Sequence, residues 1–291
     1  ADLSLFIDDN LRIDYPEGII VNGTINAETF PYKKNNNLFL LGAKYIPIRK
    51  EFWDTPSRKI NKDVTSILIT FGGQDIRNLT PLILNSLNEN FPDTHKNVII
   101  GSGFKCVEQI EKIKDSKTNL YYSPTAETIK ELMLTSDVAI TAAGQTIYEL
   151  AVTGTPTIAI AVADNQINSI KEWKDKGFLL DIILHSDRFY LKKINDDLKK
   201  LENPSLRKKL SKIGRDNVDG QGPRRIINHL IEKSCEANGF YLRKAVESDS
   251  SMVFKLSNDP TVRQNSINTR PIEWEEHQEW FSRKISQKDY L

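Results

Sequence analysis

From residue 66 to residue 162 the chain alternates short apolar runs with stretches whose apolar residues recur every three or four positions. This predicts a parallel sheet covered by helices. A strand buried on both faces reads as a continuous apolar run, whereas a helix on a sheet shows a single apolar stripe. The runs at 66–70, 98–100, 138–141 and 157–162 are the expected strands, and Tyr121-Tyr122 closes a further one. Between them, Val107, Ile110 and Ile113 form one helical stripe, and Ile129, Leu132 and Met133 form another. Thr80-Pro81 is expected to cap and open the helix after the first strand, and Ser123-Pro124 to start a later one. The predicted class is α/β, a Rossmann-like doubly wound parallel sheet in which 138–141 and 157–162 are central.

The flanks read differently. Residues 3–7 and 18–21 are strand-like and are followed by a polar stretch at 33–37, too few elements to bury a core alone. Polar helices are predicted at 187–201 and 204–215. The break Asp219-Gly220-Gln221-Gly222-Pro223 then precedes a last amphipathic helix with Ile226, Ile227, Leu230 and Ile231 on one face. Arg224 and Arg225 at its start read as solvated rather than as a phosphate clamp. After Asn238-Gly239 the character changes: 240–244 reads as a new strand, Ser248-Asp249 as a helix cap and Asn258-Asp259-Pro260 as a stop. Trp274, His277, Trp280 and Phe281 share one face of a further helix, where core packing explains them more simply than a ligand site does.

Candidate chemistry concentrates between residues 142 and 166. Ala142, Ala143 and Gly144 put small side chains where the chain leaves a strand, and Gln145 and Thr146 open a helix that Gly154 and Pro156 stop. Such a helix mouth offers unpaired N–H groups and the positive end of a dipole to an anion. Glu149, one turn in, suits two sugar hydroxyls better than phosphate. Asp164, Asn165 and Gln166 follow the next strand on the same edge, where ligands of open α/β sheets bind. Two more glycine loops, Gly72-Gly73-Gln74 and Gly101-Ser102-Gly103, fall on that edge. An ordinary βαβ unit with tight turns would also place small residues here; the glutamate and the Asp-Asn-Gln loop at this spacing favour binding. Neither a GxGxxG nor a GxxxxGK[ST] pattern is present, which argues against a dinucleotide enzyme or a P-loop NTPase.

Bulk properties exclude little else. Forty basic and thirty-nine acidic residues leave a net charge of +1, which favours neither nucleic acid nor an anionic membrane. Cys106 and Cys235 match no metal or redox spacing and suggest reduced, cytoplasmic thiols. No metal site and no membrane span are expected, and the oligomeric state is not legible.

The pattern Ala-Ala-Gly-x-Thr-x-x-Glu from Ala142 to Glu149, followed by Gly154-x-Pro156 and Asn165-Gln166, resembles the C-terminal half of GT-B enzymes that bind UDP-sugars. It is similar to the UDP-2,4-diacetamido-2,4,6-trideoxy-altropyranose hydrolases of pseudaminic acid biosynthesis and to spore-coat polysaccharide proteins, and more distantly to the lipid II N-acetylglucosaminyltransferases. The resemblance implies UDP or a UDP-sugar as ligand and no cofactor. It places phosphate and sugar near Gly73 and Gln74, phosphate at Ala143, Gly144, Gln145 and Thr146, ribose on Glu149, and the sugar against Asn165 and Gln166. Gly101 and Ser102 join the same edge, and the loop after Ser123 meets uracil. The family draws its catalytic histidine from a Gly-x-Gly-His loop that these 291 residues lack, so the catalytic residue is unknown. His95, His185, His229 and His277 read as surface or packing residues away from the ligand edge.

Asn258-Asp259-Pro260-x-Val262-Arg263 and Glu275-Glu276-His277-x-x-Trp280-Phe281 resemble the opening of GNAT acetyltransferases of amino-sugar nucleotides. Their acetyl-CoA loop has no counterpart here, so acetyl-CoA is a cofactor only of a complete domain. The expected organisation is a remnant of an N-terminal Rossmann-like domain at 1–45, a UDP-sugar-binding domain at 46–237 and a truncated GNAT start at 238–291. Both ends read as internal to a longer, bifunctional protein, and these residues alone are expected to bind nucleotide with little or no hydrolysis; a UDP-sugar-dependent glycosyltransferase and a noncatalytic UDP-sugar-binding module are the alternatives.

Overall fold

The apolar runs fold into two all-parallel sheets. In a computed structural model describing residues 3–11, 13–33, 36–237, 239 and 243–286, the small sheet has the order β1-β2-β3, formed by Leu5–Ile7, Ile19–Asn22 and Leu38–Leu41. The large sheet has the order β6-β5-β4-β7-β8-β9, formed by Thr118–Tyr122, His95–Ile100, Ser66–Thr70, Val138–Ala142, Thr157–Ala161 and Ile183–Leu184. Both sheets lie in the first of two compact units, Ala1–Ile231 and Glu232–Leu291.

The large sheet is doubly wound, as its pattern predicts. From β4 the chain winds outward through β5 and β6, returns to β7 beside β4, and winds outward the other way through β8 and β9. Consecutive side chains of a strand face opposite sides. Leu68 therefore joins Ala139, Met133, Ile147 and Trp173 in the core on one face, while Ile67 and Ile69 join Ile83, Val98, Ile140 and Ile158 on the other.

Several expectations need correction. The central pair is β4 and β7, not β7 and β8, because β9 adds an edge strand too short to show a pattern. The stretch at 1–45 holds a third strand beyond the two expected, since Leu38–Leu41 completes the small sheet. Helix α1, Leu79–Asn90, starts before Thr80-Pro81, because the buried Asp75 carboxylate accepts from the N–H groups of Leu79 at 3.0 Å and Thr80 at 2.8 Å. Helix α2 is Val107–Ile113. Helix α3, Ala126–Thr135, begins after Ser123-Pro124 with Thr125 as its cap. Helices α4 to α8 are Thr146–Thr153, Ile167–Asp175, Tyr190–Leu201, Pro204–Asn217 and Gly222–Ala237. On α8 only Ile226 and Leu230, four residues apart, pack on Ile19, Val21 and Leu40 of the small sheet, while Ile227 and Ile231 are exposed. Arg224 pairs with Asp54 and Arg225 with Asp219, so neither is merely solvated.

The second unit carries α9, Ser250–Ser257, α10, Pro260–Gln264, and α11, Trp274–Ser286. His277 and Phe281 are buried as core residues, and the His277 ring nitrogen Nε2 lies 2.9 Å from the Ser250 carbonyl. Trp280, by contrast, is 41% exposed. Of the strand expected at 240–244, Phe240, Tyr241 and Leu242 lie outside the described residues, and Arg243 and Lys244 are not in a strand.

At the amino end of β7 the buried Asp137 carboxylate pins the sheet. It accepts from Asn61 Nδ2, from Thr65 N and Oγ1, and from Ser66 N and Oγ, at 2.8 to 3.2 Å. Burial pushes this carboxyl up, but those hydrogen bonds outweigh it and hold it below its ordinary value. Its stabilisation is therefore present above the unfolded-state value and is lost as pH falls through the folded one. Asp137→Ala, which strands several buried donors, should lower unfolding stability by about 3 kcal/mol in a denaturant titration. Asp137→Asn should flatten the acid limb of stability against pH; an unchanged limb would remove this carboxylate from the acid response.

Candidate functional site

Because every strand of the large sheet points the same way, their carboxyl ends share one edge. The crossovers from β4 and β7 leave this edge in opposite directions and open a crevice between the two loops. The loop after β4 carries Gly72, Gly73 and Gln74; that after β5 carries Gly101, Ser102 and Gly103. The one after β7 carries Ala143, Gly144 and Gln145, and that after β8 carries Asp164, Asn165 and Gln166.

The glycines of these loops differ in what they do. A side chain at Gly101 would meet the carbonyl oxygens of Gly73 at 2.4 Å and Gly72 at 2.6 Å, so Gly101 lets the β4 and β5 loops touch. A bond from Gly103 N to Gly73 O at 2.9 Å fastens the same contact. At Gly73, however, an added Cβ would meet nothing within 4 Å, and at Gly144 only Gln166 Nε2 at 3.8 Å. Neither residue has a positive φ. Packing thus explains Gly101, whereas neither turn geometry nor packing explains Gly73 and Gly144, which border open space.

Helix α4 begins beside that space. Its backbone N–H groups at Gln145 and Thr146 take part in none of the described backbone hydrogen bonds, whereas Ile147 N and Tyr148 N already turn back to Gly144 and Gln145 carbonyls. Among the described residues the mouth therefore presents two free donors and the positive helix end, equivalent to about half a charge.

Two cavities flank this mouth, and the expected site residues divide between them. The first, about 300 Å³, is lined by Gly73, Gly101, Ser102, Thr146 and Glu149, with Arg49, Ser123 and Pro124 completing its wall. The second, about 390 Å³, is lined by Ala143, Gly144, Gln145, Asn165 and Gln166. Gln166 accepts the Val162 N–H through Oε1 at 2.9 Å, which fixes its amide nitrogen toward Gly144. Gln74 lines neither cavity; it packs instead on Gly103. His185 directly follows β9 and its Nδ1 lies 3.1 Å from Ala161 O, so one histidine does stand on the carboxyl edge, contrary to expectation.

Sequence reasoning missed the opposite wall of each cavity. In the larger one the small sheet contributes Asp8, Asp9, Tyr15 and Thr24. Burial pushes the Asp8 carboxyl up, but hydrogen bonds from Tyr32, the Asn10 and Leu11 backbone and Tyr15 hold it below its ordinary value. The signal available was Asp8-Asp9 at the carboxyl end of an expected strand. In the smaller cavity the missed residue is Arg49, whose Nε and Nη2 donate to the two oxygens of Glu149 at 2.8 and 3.0 Å. Burial raises the Glu149 carboxyl above its ordinary value, and the guanidinium offsets this only in part. Tyr148, on the same helix, accepts the Ile25 N–H at 2.9 Å and so ties the small lobe to α4.

An open parallel sheet, a small three-stranded parallel sheet with its loops at the carboxyl edge and a glycine-lined crevice between them define a GT-B-type fold. The chain belongs to the glycosyltransferase family 28 C-terminal domain, which it matches over residues 66–217. Among curated relatives it is 25% identical to the uncharacterized protein MJ1062 of Methanocaldococcus jannaschii over 94% of this chain and 56% of that protein. It is 33% identical to the pseudaminic acid cytidylyltransferase and UDP-2,4-diacetamido-2,4,6-trideoxy-beta-L-altropyranose hydrolase of Helicobacter pylori, over 56% of this chain and 30% of that one. To the spore coat polysaccharide biosynthesis protein SpsG of Bacillus subtilis it is 25% identical, over 76% and 67%. The chain thus spans 56% and 30% of the first two relatives. The crystal structure of Acinetobacter baumannii MurG shares the fold with a TM-score of 0.51 at 18% identity, over 75% of this chain and 67% of that one. No helix among the described residues is long and apolar enough to cross a membrane.

The glycine contacts make a direct prediction. Gly101→Ala should cost about 1 to 3 kcal/mol, since backbone oxygens must move, whereas Gly73→Ala and Gly144→Ala should stay within about 0.5 kcal/mol of the parent. Thermal unfolding of the three variants decides; equal losses at all three would make the open glycines structural.

Proposed function

We propose that this chain is the nucleotide-gripping half of a UDP-sugar enzyme, and that the whole protein hydrolyses a diacetamido-trideoxy sugar nucleotide to release UDP. The observation that carries this is the α4 mouth: two free N–H groups and two open glycines, with an ionisable carboxylate one turn further on, between two cavities. In this reading the smaller cavity takes uridine, with Ser123 and Pro124 beside the base and Glu149 accepting the ribose hydroxyls. The diphosphate lies against Gly73, Gly144, Gln145 and Thr146, and the sugar enters the larger cavity beside Asn165 and Gln166.

Hydrolysis puts negative charge on the departing diphosphate, and donors fixed before the reaction stabilise it without reorganising. Those donors are the helix-mouth N–H groups. The base that orients water is not assigned among these residues. The diacetamido sugar is supported by the name of the Helicobacter pylori relative. The reading of residues 238–291 as an acetyltransferase opening rests on its two short motifs alone, and a nucleotide-sugar substrate would place the reaction in the cytoplasm. Transfer of the sugar to an acceptor hydroxyl is the second reading, favoured by the family the chain belongs to, since the same cradle serves both reactions.

Titration calorimetry with UDP tests the cradle. Glu149→Ala should weaken binding by about 1.5 to 3 kcal/mol, the range for hydrogen bonds to a charged group; unchanged affinity would take the ribose role away from it. For the reaction, the full-length protein should release UDP from the diacetamido sugar nucleotide without any acceptor. Release only when an acceptor is added would replace hydrolysis by transfer.

A further inference from the structure

We propose that Arg49 is the positioning residue of the nucleotide cleft, its guanidinium fork holding the Glu149 carboxylate charged and aimed so that it can accept a vicinal diol; this rests on the nucleotide reading above. The pairing is bidentate, Nε on Oε1 and Nη2 on Oε2, which fixes the carboxylate plane as well as its distance. An ionised carboxylate has about four lone-pair sites. The fork takes one on each oxygen and leaves one on each for the two hydroxyls. The fork is itself held: the guanidinium carbon sits 5.3 Å from the centre of the Phe52 ring, and Phe52 is fully buried.

The two partners have unequal surroundings. The Glu149 side chain is 10% exposed and that of Arg49 is 43% exposed, and both line the same cavity. A carboxylate so buried needs a counter-charge to stay ionised. Among the described residues, the other charges near it do not supply one. Glu51, on the turn after Arg49, opposes ionisation. Lys130 of α3 points its ammonium at the Glu51 carbonyl at 2.8 Å. On α7, Arg215 is committed to carbonyls of Thr55, Pro56 and Val152. Arg49 is thus the cation that faces this carboxylate, and among the described hydrogen bonds its Nη1 has no acceptor.

The test reads Glu149 directly. Carbon-13 NMR of glutamate-labelled protein, with Glu149→Gln to assign the signal, gives its titration midpoint in the parent chain, in Arg49→Gln and in Arg49→Lys. The midpoint should rise in Arg49→Gln, and Arg49→Lys, which keeps the charge but not the fork, should fall between. UDP titrations from about pH 5.5 to about pH 8 should then show Arg49→Gln losing affinity as pH falls, by up to about tenfold per unit once the carboxyl is protonated. The 2′-deoxy analogue should change less, because it lacks one of the hydroxyls. A purely structural role would lower the unfolding temperature and weaken both nucleotides alike at every pH, with the midpoint unmoved; that result overturns the proposal. So does tighter UDP binding by Arg49→Gln, which would make the guanidinium a competitor of the ligand. If the parent chain has no affinity for UDP, the nucleotide reading fails, and the midpoint alone still decides whether Arg49 keeps Glu149 charged.

Discussion

The hydrogen-bond ladder between β4 and β7 is the constraint from which the rest follows. These strands are far apart in sequence and adjacent in space, and each sends its following helix away from the other. The crevice is therefore not carved out of the fold. It is the place where a parallel sheet cannot cover its own edge, because the two crossovers that could cover it diverge. Pairing β4 with another strand would leave Gly73 and Gly144 on separate parts of the surface. Asp137 guards the opposite edge of the same ladder, where five donors converge on one carboxylate.

Much of this was legible because it is local. Strands β4, β5, β7 and β8 announce themselves by apolar runs and β6 only by Tyr121-Tyr122, and α4 by its small residues before and its glycine after. What escaped was whatever depends on one residue meeting another across the fold. Asp75 displaces Thr80 as the cap of α1 because a buried side chain folds back over its own turn, which no spacing rule captures. β9 is two residues long and exists only because β8 offers it an edge. Arg49 and Glu149 are one hundred residues apart, and an arginine in a connecting segment carries no mark of its partner. Among the candidate site residues, those on the carboxyl edge converge because the edge is set by strand direction alone. Gln74 departs from them because its side chain closes over Gly103.

The glycines sharpen the distinction between folding and binding. At Gly101 the backbone of another loop fills the place of a side chain, and the residue is explained without any ligand. Gly73 and Gly144 have no positive φ and no close neighbour, so the fold itself would tolerate a larger residue at either. Space that the fold does not use, beside donors that the fold does not satisfy, is a more specific observation than a count of glycines.

Helix α4 has one more property. Gln145 and Tyr148 stand in the wall of one cavity and Thr146 and Glu149 in that of the other, so residues three apart share a side and the two cavities lie on different sides of the same turn. That division is fixed by backbone hydrogen bonds and by a tyrosine anchored to the small lobe, not by the loops around it. The helix is in effect a partition. Loops on either side can change in length and chemistry, and so in what each cavity admits, while the wall between the cavities stays in place.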